Sequence, residues 1–301
     1  MSITPDFFRF KKEYEAGHNQ VIFAKLTSDL DTPVSIMLKL AGAKKNSFIL
    51  ESVTGGETRG RYSIIGMEPD LIWKCEGDKS FINSGNNEFT HVEGNPLSIF
   101  RNLLKRSSIN LPEDLPQASA GLFGYFGYDM VRHVEELPNI NPDKIGLPDG
   151  MFIRPSIIAV LDGVKGEVIL VSPVFYNQET SSNQAFKKAQ NKIEDAIFEL
   201  KKQIITNRNL GKSGEIEEPS SNFTKEEYKS AVKKAKAYIN QGDIFQVVPS
   251  QRWTQKFPYS PFSLYRSFLR TNTSPFIFFF NFGHFQVICS SPEILVRVFG
   301  K

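Results

Sequence analysis

The sequence is poor in the features that mark most function classes. It holds two cysteines, Cys75 and Cys289, too far apart for a C-x-x-C metal or redox motif. That count excludes a disulfide-built scaffold and fits a reducing compartment with free thiols. Four histidines, His18, His91, His133 and His284, are scattered and show no zinc-type spacing. The net charge is only +3 over 301 residues, so the clustered basic face that nucleic-acid binding usually needs is not favoured. The apolar run near the C-terminus, Pro275 to Phe280, is far too short to span a bilayer. The N-terminus, "MSITPDFFRFKKEYEAG", has no apolar signal-peptide core. These absences predict a cytoplasmic protein with neither nucleic-acid nor membrane partners.

Length and aromatics are the positive features. The chain is long enough for two ordinary domains or one large one with a sizeable core. Its 26 phenylalanines are accounted for by a large aromatic core. Apolar spacing predicts helices over 6–16, from Pro33, over "NPLSIFRNLLKRS", from about 186 to 204, and over "SPFSLYRSFLRTN". Strands are predicted at 21–29, "NSFILES", "RYSIIGMEPDLIWKCEG" with a bend near Pro69, "FIRPSIIAVLD", "GEVILVSPVF" and "DIFQVVPSQRWTQKF". "KSFINSG" and "NEFTHVEG" read as a hairpin around Gly85-Asn86, and "FIFFFNF" and "FQVICSS" as another around Gly283. Strands occur in blocks with helices between them. That pattern predicts an α+β fold of mostly antiparallel sheets packed as a sandwich with flanking helices.

The polar stretch 206–221, "TNRNLGKSGEIEEPSS", is the best linker candidate. It divides 1–205 from 222–301. After it, Thr224 and Glu227 form a capping-box signature, with Phe223 and Tyr228 placed as a hydrophobic staple and Gly242 as the stop. "CSSPEIL" reads as a turn into a short helix, with Ser290 or Ser291 as cap and Pro292 at its first position.

The motif that demands an explanation is "FILESVTGGETRGRYSIIG", Phe48 to Gly66. Its glycines suggest a phosphate loop, but a strand rather than a helix follows and no Lys-Ser/Thr pair is present. Glu51 and Ser52 are neighbours, so a regular strand would point them to opposite faces. They serve one ligand only if the strand ends or kinks there; a carboxylate beside a hydroxyl then suits an amino group, or simply caps the local turn. No G-x-S-x-G elbow and no magnesium-type carboxylate cluster is evident. The glycines of "GLFGYFGYD" are explained by close strand packing.

Five segments taken in order resemble a known family: "FILESVTGGETRGRYSIIG", "GLFGYFGYDMVRHVEELP", "YINQGDIFQVVPSQRW", "LYRSFLRTNTSPFIFFFNFG" and "SSPEILVRV". Together they are similar to anthranilate synthase component I, the large chorismate-binding subunit. The resemblance implies conversion of chorismate and ammonia to anthranilate and pyruvate with Mg²⁺, in tryptophan biosynthesis. Ammonia would come from glutamine through a partner amidotransferase subunit. It also implies a feedback site for L-tryptophan, built here from Glu51, Ser52, Pro275, Phe276 and Ile277, with Arg61 and Ser63 as neighbours. Phe276 stands where the family usually has Tyr and Ile277 where it has Met, so the wall stays apolar and one hydroxyl is lost. Glu51 would meet the ligand's ammonium, and Phe276 and Ile277 its indole.

The resemblance further implies a regulatory domain over 1–205 and the first part of a chorismate-binding domain over 222–301. The family's "PIAGTRPRG" and "DLGRND" words are not found, so its catalytic groups and Mg²⁺ carboxylates are expected beyond Lys301. The chain is accordingly expected to be an N-terminal fragment, inactive by itself and prone to aggregate through unpaired sheet edges. Two alternatives share the pattern: 4-amino-4-deoxychorismate synthase component I, and a non-catalytic tryptophan-binding module.

Overall fold

The computed structural model describes residues 2–42, 44–52, 60–85, 88–138, 141–204, 217–272 and 274–298. Most of the expected linker at 206–221, Asn86 of the expected hairpin turn and residues 53–59 lie outside these residues.

Most of the α-helices start where the sequence supplies a cap. In α1 (Phe7–Glu15) the Asp6 carboxylate accepts from the Arg9 amide. Strand β1 (Gln20–Thr27) follows, then α2 (Pro33–Leu40), opened by a Thr32–Ser35 capping box with Pro33 in its first turn. Next come β2 (Ser47–Ser52), β3 (Tyr62–Glu76), β4 (Lys79–Asn83) and β5 (Thr90–Val92). Helix α3 (Pro96–Arg106) leads to β6 (Phe123–Phe126), β7 (Gly150–Asp162) and β8 (Glu167–Val174). The long α4 (Ser182–Leu200) is capped by Ser181 and Gln184.

These strands, with β11 (Phe276–Asn281) and β12 (Gln286–Ser291), build one antiparallel sheet, ten-stranded among the described residues. Its main path runs β1-β8-β7-β3-β2-β11-β12, and β4, β5 and β6 branch off the far ends of β3 and β7. The branch begins where Pro69 faces Pro155 across the ladder and the register shifts. Neither proline can donate to the ladder, so two long strands crease together. The bend expected at Pro69 is therefore shared by two strands.

The crease turns one sheet into two packed layers. Phe48, Phe280, Ile72, Met151 and Ile153 fill the space between the branches, and the rings of Phe48 and Phe123 stack 4.6 Å apart. Helices α1, α2 and α4 cover the outer face of the main branch through Phe10, Ile36, Met37, Ala189 and Ile193. Helix α3 covers the outer face of the other branch, where Phe100 and Leu103 meet Trp73. The glycines of "GLFGYFG" serve this packing: a Cβ on Gly124 would sit 1.9 Å from the Met151 carbonyl oxygen.

The described packing divides the chain differently from 1–205 and 222–301. One compact unit is Met1–Ile205 with Pro261–Lys301; the other is Thr206–Ser260. The reason is pairing: β11 joins β2 in register from Phe276↔Ser52 to Asn281↔Ser47. Helix α6 (Pro261–Thr271), ahead of β11, belongs to the same unit.

The second unit contains β9 (Ser220–Ser221), α5 (Lys225–Gln241) and β10 (Trp253–Thr254). Its helix has the full set of expected ends: the Thr224–Glu227 box, Phe223 against Tyr228 at 6.1 Å, and Gly242 at φ 83°. Two other expectations are corrected. "DIFQVVPSQRWTQKF" forms a ladder only at Trp253–Thr254; Phe245 and Val248 are exposed and have no sheet face to cover. In the first unit, "SPEIL" forms no helix, since Leu295 and Val296 are exposed and bury nothing that would favour one.

Candidate functional site

The ends of β2, β3 and β11 meet in a single row. Glu51 pairs with Ile277 on one side and with Ser63 on the other. One residue on, Ser52 pairs with Phe276. Segments far apart in sequence are thus neighbours, and all seven residues singled out earlier lie at this corner of the sheet.

Strand alternation sends Ser52 and Phe276 to one face and Glu51, Ser63 and Ile277 to the other; Arg61 and Pro275 lie just outside the strands. Ser52, Arg61, Pro275 and Phe276 border a cavity of about 380 Å³, together with Tyr62 and the Pro292–Ile294 segment. That volume lies within the usual range of small-ligand pockets. Glu51, Ser63 and Ile277 belong to the opposite face. Ile277 is buried in the helix-side core, and Ser63 is buried in the same row. The Glu51 carboxylate accepts a hydrogen bond from the Tyr265 hydroxyl of α6.

This pairing sets the electrostatics of the row. Burial pushes the Glu51 carboxyl above its ordinary range, and the Tyr265 hydrogen bond partly offsets that. Tyr265 is fully buried, and burial followed by the adjacent carboxylate raises its hydroxyl. The phenol is the donor and the carboxylate the acceptor. Tyr265 was not singled out in the sequence. Its signal was the apolar stripe Phe262, Tyr265, Leu269 on a predicted helix, with one hydroxyl inside it.

Arg61 lines the cavity but is already engaged. Its guanidinium donates from Nε and Nη2 to the Asp162 carboxylate, at 3.0 and 2.6 Å. Asp162 is 3 % exposed and also accepts from the amides of Val164 and Lys165. Arg61 first, and those amides after it, hold the Asp162 carboxyl below its ordinary range. Arg61 therefore ties β3 to the β7–β8 turn and forms a fixed rim of the cavity.

A larger cavity, about 910 Å³, lies beside α1 and β1. Several of its polar groups are already engaged: His18 with Glu13 at 2.9 Å, and the Asn19 amide with the carbonyls of Arg106 and Ser108. None of the seven residues borders it.

Among the described residues no group of three or more His, Cys, Asp or Glu side chains could hold a metal ion. The Mg²⁺ implied by the resemblance therefore finds no donor set in them. Among the described residues no helix is long and apolar enough to cross a membrane.

Comparison with known proteins decides the family. A model of the chorismate binding enzyme family matches residues 45–301. The chain belongs to that family. Within it, the chain is 55% identical over 296 residues to anthranilate synthase component 1 of Cereibacter sphaeroides, covering 97% of this chain and 59% of that protein. It is 39% identical over 292 residues to anthranilate synthase component 1 of Pseudomonas putida, covering 94% of this chain and 58% of that protein. The chain thus spans about three-fifths of the length of these curated relatives. The crystal structure of anthranilate synthase component I from Streptococcus pneumoniae TIGR4 superposes with a TM-score of 0.61 at 26% identity, covering 89% of this chain and 57% of that one. The α+β fold of this family member, with its large antiparallel sheet and flanking helices, agrees with the sequence expectation.

Proposed function

We propose that the chain carries the tryptophan-sensing part of an anthranilate synthase large subunit. The complete protein would convert chorismate and ammonia to anthranilate and pyruvate in the cytoplasm. Ammonia would come from glutamine through a component II amidotransferase, and Mg²⁺ would be held by residues other than those described. In this reading 1–205 with 261–301 forms the regulatory unit, and 206–260 belongs with the chorismate-binding part.

The observation that carries the reading is the β2–β11 register. It sets Ser52 opposite Phe276 at the edge of the 380 Å³ cavity, with Pro275 beside it. Phe276 and Pro275 offer an apolar wall to an indole. The Ser52 hydroxyl offers a polar contact to the amino-acid end. Glu51, Ile277, Ser63 and Arg61 hold this corner in shape.

Calorimetric titration of the folded chain with L-tryptophan tests the proposal. Binding is expected, and both Ser52→Ala and Phe276→Ala should weaken it about tenfold, the loss that roughly 1.4 kcal/mol produces. A folded sample that gives no heat with tryptophan would overturn the reading. The same chain is expected to form no anthranilate from chorismate and ammonia, since it spans only three-fifths of the relatives' length. Measurable product would refute that part alone.

A further inference from the structure

We infer that Tyr265 is a positioning residue for the tryptophan cavity and that Glu51 acts through it, as a latch on the reverse side of the sheet. The inference rests on the tryptophan reading above and assigns the carboxylate a different task from meeting the ligand's ammonium.

Three observations carry it. First, the faces differ: Ser52 and Phe276 border the cavity, while Glu51 and Ile277, one step along the same strands, belong to the helix side. A carboxylate on that side does not share the cavity with the ligand. Second, Glu51 already has a committed donor. The Tyr265 hydroxyl is directed at its Oε1, and the Tyr265 ring is clamped by Phe262 at 5.3 Å and Phe279 at 6.0 Å. A fully buried phenol has no water to turn to, so losing Glu51 would leave its hydroxyl unpaired. Third, the two partners sit on the two elements that build the cavity wall. Glu51 immediately precedes Ser52, the last residue of β2. Tyr265 lies in α6, and the chain leaving α6 at Thr271 enters β11 at Phe276 by way of Pro275.

The hydrogen bond therefore fixes the end of β2 against the helix that feeds β11. With it, the Ser52 hydroxyl and the Phe276 ring keep one spacing across the cavity. Without it, the described end of β2 keeps its ladder to β3 and β11 but loses its tie to α6. The bond needs an acceptor at position 51, but it does not need a negative charge.

That distinction makes the test sharp. Tryptophan affinity is measured by calorimetry on the 301-residue chain and its variants, each checked for a cooperative thermal melt. Tyr265→Phe removes only the hydroxyl and should weaken tryptophan binding three- to tenfold. Glu51→Gln keeps an oxygen acceptor and should stay within about twofold of the parent. Glu51→Ala should lose at least as much as Tyr265→Phe, and the double variant Glu51→Ala/Tyr265→Phe should lose no more than Glu51→Ala alone, because both remove one bond. A generic loss of stability would not be rescued by Gln or be non-additive in binding. If Glu51→Gln loses affinity as Glu51→Ala does while Tyr265→Phe is neutral, Glu51 meets the ligand directly and the latch is overturned. Equal, additive losses in Tyr265→Phe and Glu51→Ala would overturn it too. Absence of tryptophan binding in the parent chain would overturn the proposed function and this inference together.

Discussion

The two compact units obey opposite rules. In the first, Met1–Ile205 with Pro261–Lys301, structure is held by contacts between segments remote in sequence. In the second, Thr206–Ser260, the one helix among the described residues is defined almost wholly by its own ends. Helix α5 has a capping box, a staple and a left-handed glycine stop, yet none of its residues is buried. Strand β11 has none of these local signals, yet Ile277, Phe279 and Phe280 are buried between β2 and β12. Local chemistry can start and stop an element; only a partner can bury it.

Substitutions should separate the two regimes. The largest effect is expected at Gly124, where a Cβ would collide with backbone of β7 rather than with a side chain that can move. Gly124→Ala should destabilise the first unit by about 3 kcal/mol or more. It should leave α5 amide exchange unchanged, measured by hydrogen–deuterium exchange. Loss of α5 protection along with that of β7 would mean the units unfold as one.

A smaller effect belongs to Asp162. Its carboxyl is held below the ordinary range by Arg61, so its contribution is present above the unfolded carboxyl pKa and is lost as pH falls through the depressed folded value. Asp162→Asn should lower the melting temperature by several degrees at pH 7. The gap to the parent should close as acid protonates the parent's Asp162. A gap that stays constant down to pH 2 would show that the ion pair is not its source. The smallest effect is local: Thr224→Ala should cost α5 about 1 kcal/mol and fray its first turn, with the melt of the first unit unmoved. A downward shift of that main melt would break the contrast between the units.

The same contrast explains what the sequence made legible. The caps of α5 and the β11–β12 turn at Gly283 depend on residues within a few positions, and each can be read from them; Pro69 and Gly124 are legible by residue type, while their partners Pro155 and Met151 lie far along the chain. The return of 261–301 to the first unit could not be read that way, because nothing in "FIFFFNF" names β2 as its partner. The strand predicted over "DIFQVVPSQRWTQKF" failed for the converse reason: suitable residues, and no described neighbour to pair with beyond Ser220 and Ser221. At the candidate site, the family resemblance supplied Glu51, Ser52 and Pro275–Ile277. The separation of Glu51 from Ser52 and of Phe276 from Ile277 follows from alternation, already evident in the sequence, but Tyr265 needed the packing of α6.

The tie between Glu51 and Tyr265 has a consequence in time. The two residues are 214 positions apart. At ribosomal rates of about 5–20 residues per second, roughly 10–40 s separate their synthesis. Through that interval β2 is made but β11 is not, and one edge of an apolar strand waits uncovered beside the exit tunnel. Synthesis speed across 53–276, more than the stability of the finished sheet, sets how long this corner must be shielded by a chaperone or by the growing chain itself.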